Sequence, residues 1–87
     1  MQLGDQAPGR YDIYRPPVKR SITIAGHQTS ITLEPLFWNA LENAAAKAKL
    51  PLNALVAKID ADRLEAEHPP NLASALRSWL YANAIGG

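Results

Sequence analysis

The sequence predicts an α+β domain, strand first and helices after, of a size that calls for a further copy to complete its interior. Three observations predict it: a period-two stretch over residues 19–33, two apolar helical stripes separated at Pro51, and a length of 87 residues without cysteine. So short a chain buries a smaller fraction of its surface than a longer one, and a lone core is marginal. No disulfide is available, and His27 and His68 lack the paired spacing of a zinc site. Oligomerisation is the remaining common remedy.

Composition narrows the function classes. The lack of cysteine argues against a secreted disulfide scaffold and fits a reducing cytosol. No run approaches the about 18 apolar residues of a membrane span, and the N-terminus has polar residues and prolines where a signal peptide would carry its apolar core. The reading is a soluble, cytoplasmic protein with no membrane partner. The formal charge of +1 is too small to point to nucleic acid alone. Its distribution says more: residues 1–33 carry Arg10, Arg15, Lys19 and Arg20 against Asp5 and Asp12, whereas residues 34–87 carry five basic and six acidic side chains.

Residues 1–17 mix glycine, proline and charge without a period, which predicts a flexible N-terminal arm ahead of a domain over 18–87. Tyr11, Ile13 and Tyr14 are its docking candidates, either on the protein's own dimer or on a ligand. Residues 19–33 (KRSITIAGHQTSITL) alternate and are rich in Ile and Thr, the pattern of half-buried strand. Gly26-His27 suits a two-residue type II′ turn between strands at about 20–25 and 28–33. That turn sets Thr23 opposite Ser30, Ile22 opposite Ile31 and Ser21 opposite Thr32. One face then collects Ile22, Ile24, Thr29, Ile31 and Leu33, and the other Ser21, Thr23, Ala25, Gln28, Ser30 and Thr32.

A first helix is predicted over about 35–49, with Pro35 in the first turn and Glu34 at the positive end of its dipole. Phe37, Leu41, Ala44, Ala45 and Ala48 form its apolar stripe, with Trp38 on the shoulder. Pro51 marks a new start, and Leu52, Leu55, Val56 and Ile59 give a second helix, about 52–66, its buried face. Asn71 is the candidate N-cap of a third helix, about 71–84, where Leu72, Leu76, Trp79, Leu80 and Asn83 share one face.

The stretch QTSITLEPLFWNALENAAAKAKLPLNALVAKID resembles the ribbon-helix-helix proteins of the Arc/MetJ/CopG type: a strand, a helix opening within two residues, a break after about fifteen, and a second apolar helix. KRSITIAGHQTSITLEPLFW and NLASALRSWL are similar to a compact bacterial subgroup of these domains. The resemblance covers roughly residues 19–83. It implies an intertwined homodimer in which strand 28–33 pairs antiparallel with its copy, above a shared core of Ile31, Leu33, Phe37, Trp38, Leu41, Leu55, Val56 and Ile59. It also implies a DNA-binding regulator whose antiparallel ribbon enters the major groove, with Gln28, Ser30 and Thr32 at the base-reading positions. Phosphate contacts would come from Lys19, Arg20 and the backbone at Leu52 and Asn53, where the family's second helix starts.

Three departures from the family pattern stand out. Pro51 replaces a small polar cap, Lys49 occupies the place of a helix-ending glycine, and pairing of residues 20–25 with 28–33 gives the dimer four strands. Three spacings of about 4.8 Å make such a sheet about 14 Å across. Either the first strand peels away on DNA or the sheet has another purpose.

Plainer readings stand beside these. The polar strand face is also what a soluble sheet shows to water, and Lys19 and Arg20 also suit protection of a strand edge. His27 reads as a turn residue and His68 as a loop residue, Trp38, Trp79 and Phe37 as core or dimer anchors, and Arg77 as part of a solvated helix face. The serines lack a paired base and acid, there is no glycine-rich phosphate loop, and Asp60, Asp62, Glu65 and Glu67 form a solvated acidic run, so no enzyme, cofactor or metal is predicted. The alternative function is a protein–protein interaction module, adaptor or antitoxin-like, on the same dimer fold.

Overall fold

The computed structural model describes residues 13–86. Two strands precede three helices: β1 (Val18–Ile24), β2 (His27–Leu33), α1 (Pro35–Ala48), α2 (Leu52–Leu64) and α3 (Leu72–Gly86). Tyr11 and the rest of the arm before residue 13 lie outside the described residues. Ile13 and Tyr14 are 49% and 81% exposed.

The two strands form an antiparallel hairpin paired along all seven residues, from Val18 opposite Leu33 to Ile24 opposite His27. Its turn is Ala25-Gly26, with both residues at positive φ (52° and 82°), the type I′ geometry that matches strand twist. The expected Gly26-His27 turn is therefore displaced by one residue, and each cross-strand partner moves by two. Because side chains alternate with period two, a two-residue shift leaves every residue on its expected face. The observed register gives Val18 and Lys19 partners in Leu33 and Thr32, which the other turn would leave overhanging. It does so although Ala25 takes a left-handed conformation that disfavours a Cβ by roughly 1–2 kcal/mol.

Beneath the hairpin the helices enclose Ile22, Ile31, Leu33, Trp38, Leu41, Ala45, Leu55, Val56, Ile59, Leu76 and Leu80. Leu33, Leu41, Val56 and Leu76 are fully buried. Trp38, expected on the shoulder of α1, is inside, whereas Phe37 is only half-buried. The reason is a polar anchor: the Trp38 indole donates from Nε1 to the Val18 carbonyl at 2.9 Å, which ties α1 to the first residue of β1. Within the one chain, α3 supplies Leu76 and Leu80 as cover for this interior.

Local chemistry sets the helix ends. Glu34 is the N-cap of α1 and Pro35 its first residue, where a missing N–H costs nothing. The helix ends with Lys49 left-handed (φ 59°), the Leu50 N–H bonding to Ala45 O at 2.9 Å and the Lys49 N–H to Ala46 O at 3.0 Å. That is a Schellman closure with lysine in the usual glycine position. Asn71 caps α3 through Oδ1, which accepts the Ser74 N–H at 2.8 Å. Arg63 fastens the loop between α2 and α3, donating to Asp60 Oδ1 at 2.8 and 3.0 Å and to the Pro70 carbonyl at 3.0 Å. Asp60 is thus a structural partner, not part of a merely solvated run.

Candidate nucleic-acid interface

The hairpin's outward face is built by alternation. Lys19, Ser21 and Thr23 from β1 lie directly opposite Thr32, Ser30 and Gln28 from β2, and all six are exposed. The predicted reading triplet Gln28, Ser30 and Thr32 therefore stands on one surface in a row, with Lys19 at one corner as the face's cation. Sequence reasoning placed Ser21 and Thr23 on this face but opposite the wrong partners. Recognition of Ala25-Gly26 as a two-residue turn was the signal that would have set the register.

The edge of β2 away from β1 carries no strand among the described residues. In a hairpin closed by a two-residue turn, the residues flanking the turn form a hydrogen-bonded pair, and such pairs alternate outward. His27, Thr29, Ile31 and Leu33 thus bond to β1, while the N–H and C=O groups of Gln28, Ser30 and Thr32 point to the open edge. A cavity of about 290 Å³ separates this edge from the start of α3 at Asn71–Ala73. The same three residues that present side chains outward also present unpaired backbone sideways.

Arg20 is not where a phosphate ligand on this face would be. It belongs to the inward parity, its guanidinium lies 4.6 Å from the centre of the Trp38 ring, and it pairs with Glu42 at 3.2 Å. Alternation is the cause, since Lys19 and Arg20 are adjacent and must point to opposite sides. Leu52 and Asn53 open α2, which packs under β1. The Pro51 carbonyl accepts the N–H groups of Ala54 and Leu55 at 3.1 and 3.2 Å, leaving the N–H groups of Leu52 and Asn53 at the helix start without an intrahelical acceptor. Leu52 is half-buried and Asn53 exposed.

Arg77 is also committed, to Glu34 at 3.0 Å and over the Phe37 ring at 5.7 Å, so it joins α3 to the start of α1. Glu34 is held below the ordinary glutamate range, first by its own backbone amide and then by the hydrogen bond from Arg77. His27 is exposed beside the turn and His68 is exposed in the α2–α3 loop. Among the described residues no three His, Cys, Asp or Glu side chains gather as a metal site would need.

A two-stranded antiparallel hairpin with a polar outer face, followed by three helices that close beneath it, is the arrangement the sequence pattern implied. The model of the ribbon-helix-helix domain matches residues 17–84. The chain belongs to the ribbon-helix-helix family. No curated protein and no solved structure matches it. Ribbon-helix-helix domains generally bind DNA as dimers and are not typically enzymes. In this ribbon-helix-helix chain, no described helix is long and apolar enough to cross a membrane.

Proposed function

We propose that this protein is a homodimeric, sequence-specific DNA-binding protein acting as a transcriptional regulator. The observation that carries the reading is the double role of β2: Gln28, Ser30 and Thr32 offer outward side chains and an unpaired edge at once. Antiparallel pairing of two β2 edges would set six such side chains side by side at the centre of a four-stranded sheet. Glutamine can bond bidentately to adenine, and serine and threonine accept or donate to several base edges.

β1 stays in place in this reading. Peeling it away would expose buried Ile22 and break the Trp38–Val18 hydrogen bond. A sheet about 14 Å wide exceeds a major groove of about 12 Å, so the central strands face the bases while the β1 strands lie over the groove walls. The short side chains of Ser21 and Thr23 permit that approach, and Lys19 stands where phosphates run. The unpaired N–H groups at Leu52 and Asn53 are the second candidate phosphate contact. A gel shift against sheared genomic DNA at low and at moderate salt tests this. Retardation that weakens steeply with salt is expected, and absence of any shift at low salt would end the reading.

A second reading, a protein-binding adaptor or antitoxin-like module, is favoured by two features: the sheet's width and the presence of one cation on its outer face. Pull-down of one stoichiometric protein, unchanged by nuclease, would support it over DNA binding.

A further inference from the structure

The outer strand sets how deep the sheet can enter a groove. Beyond its seven-residue pairing with β2, β1 is held to the body at three places: the Trp38 indole bonds to the Val18 carbonyl at 2.9 Å, Arg20 meets Glu42 at 3.2 Å and the Trp38 ring face at 4.6 Å, and Ile22 is buried. The ion pair is largely exposed and contributes little. Burial of Ile22 and the indole bond carry the attachment. With α2 packed beneath it, β1 neither peels away nor drops out of the sheet plane. A four-stranded sheet made by pairing two β2 edges is therefore about 14 Å across its strand axes and meets DNA as one unit.

Depth follows from width. The major groove is about 12 Å wide and about 8.5 Å deep, so the two β1 strands meet the sugar-phosphate walls before the central strands near the floor. From that height the long Gln28 side chain can span the gap to a base edge. Ser30 and Thr32, whose hydroxyls stay close to the backbone, cannot. The residues that face the walls are Ser21 and Thr23, both small and exposed, with Lys19 at the corner. We propose that the DNA this protein takes is a duplex whose major groove opens beyond its ordinary width, so that sites are selected by how easily their backbones part as well as by base contacts. Such selection acts through the deformability of base pairs the protein need not touch. It rests on the DNA-binding reading above and specifies which DNA that reading requires.

The test uses the full-length protein and a site selected from random DNA, prepared intact and with a single nick at its centre that keeps every base and phosphate. Cutting one strand frees one groove wall to move. The nicked site should bind about tenfold more tightly than the intact one, the low end of what deforming a duplex costs. A random duplex with and without the same nick should bind alike, because non-specific binding rests on phosphate charge and needs no seating of the reading residues. Ser21→Tyr with Thr23→Tyr builds up the outer strands with strand-favouring side chains. That variant should melt like the parent and prefer the nicked site more strongly than the parent does. Equal affinity of the parent for the intact and nicked site would overturn the proposal while leaving DNA binding in place, as would a folded tyrosine variant with only the parent's preference. A parent that shifts no DNA would overturn both.

Discussion

Ser30→Pro separates the two edges of β2. The N–H of Ser30 points away from β1, so proline there removes no hydrogen bond from the hairpin, and edge positions are where strands accept proline. In a dimer paired through β2, however, Ser30 is the middle residue of the seven-residue strand His27–Leu33 and lies at or beside the two-fold axis. The symmetric pair there would lose two N–H···O=C bonds worth about 0.5–1.5 kcal/mol each, and two carbonyls stranded between strands would cost about 1–3 kcal/mol each. The sum is roughly 3–9 kcal/mol, a weakening of dimerisation of about a hundredfold or more. Sedimentation across a dilution series reads the association, and thermal melting by circular dichroism reads the fold. The variant should melt close to the parent protein yet run at one-chain mass where the parent dimerises. Ile31→Pro, which removes a ladder N–H at a buried position, should unfold the hairpin. Unchanged dimerisation of Ser30→Pro would refute the edge assignment, and collapse of its melt to that of Ile31→Pro would refute the hydrogen-bond alternation.

Other consequences follow from single positions. Ala25→Asn and Lys49→Gly, each relieving a left-handed residue with φ near 52° or 59°, should raise stability by about 1 kcal/mol apiece, seen as a higher urea midpoint at constant slope. Leu41→Ala, at a fully buried site, should cost about 2–5 kcal/mol, a large share of a small domain's stability, read by the same unfolding curve. Glu34 has a folded-state pKa below its unfolded one; its contribution is therefore complete above the ordinary value of about 4.3 and is lost as pH falls below it. Glu34→Gln should flatten that part of the stability–pH curve and leave the remainder in place.

The order of elements and the inward or outward side of each strand residue were legible because alternation and helical stripes are written directly in residue type. The turn was not. Gly26 flanked by Ala25 and His27 admits two placements of the same parity, and the long-range bond from Trp38 to Val18, which favours the observed one, leaves no local pattern. Burial of Trp38 rather than Phe37 was hidden for the same reason. Lys19 and Arg20 look equivalent in sequence, yet one residue of offset sends the first outward and the second onto Trp38 and Glu42. The apolar face of α3 was legible in the same way as the other stripes, and its Leu76 and Leu80 join the interior beside the residues of the two preceding helices.

The central claim, that the outer face of β2 reads DNA sequence, is tested most directly by measuring affinity for a selected site and for random DNA over a range of salt, in the parent protein, Gln28→Ala and Lys19→Ala. Gln28→Ala should lose preference for the selected site while keeping its affinity for random DNA. Lys19→Ala should weaken both alike and lower the log–log salt slope by about 0.9 for each phosphate that the lysine no longer neutralises. A Gln28→Ala protein that discriminates between the two DNAs as well as the parent would contradict the account.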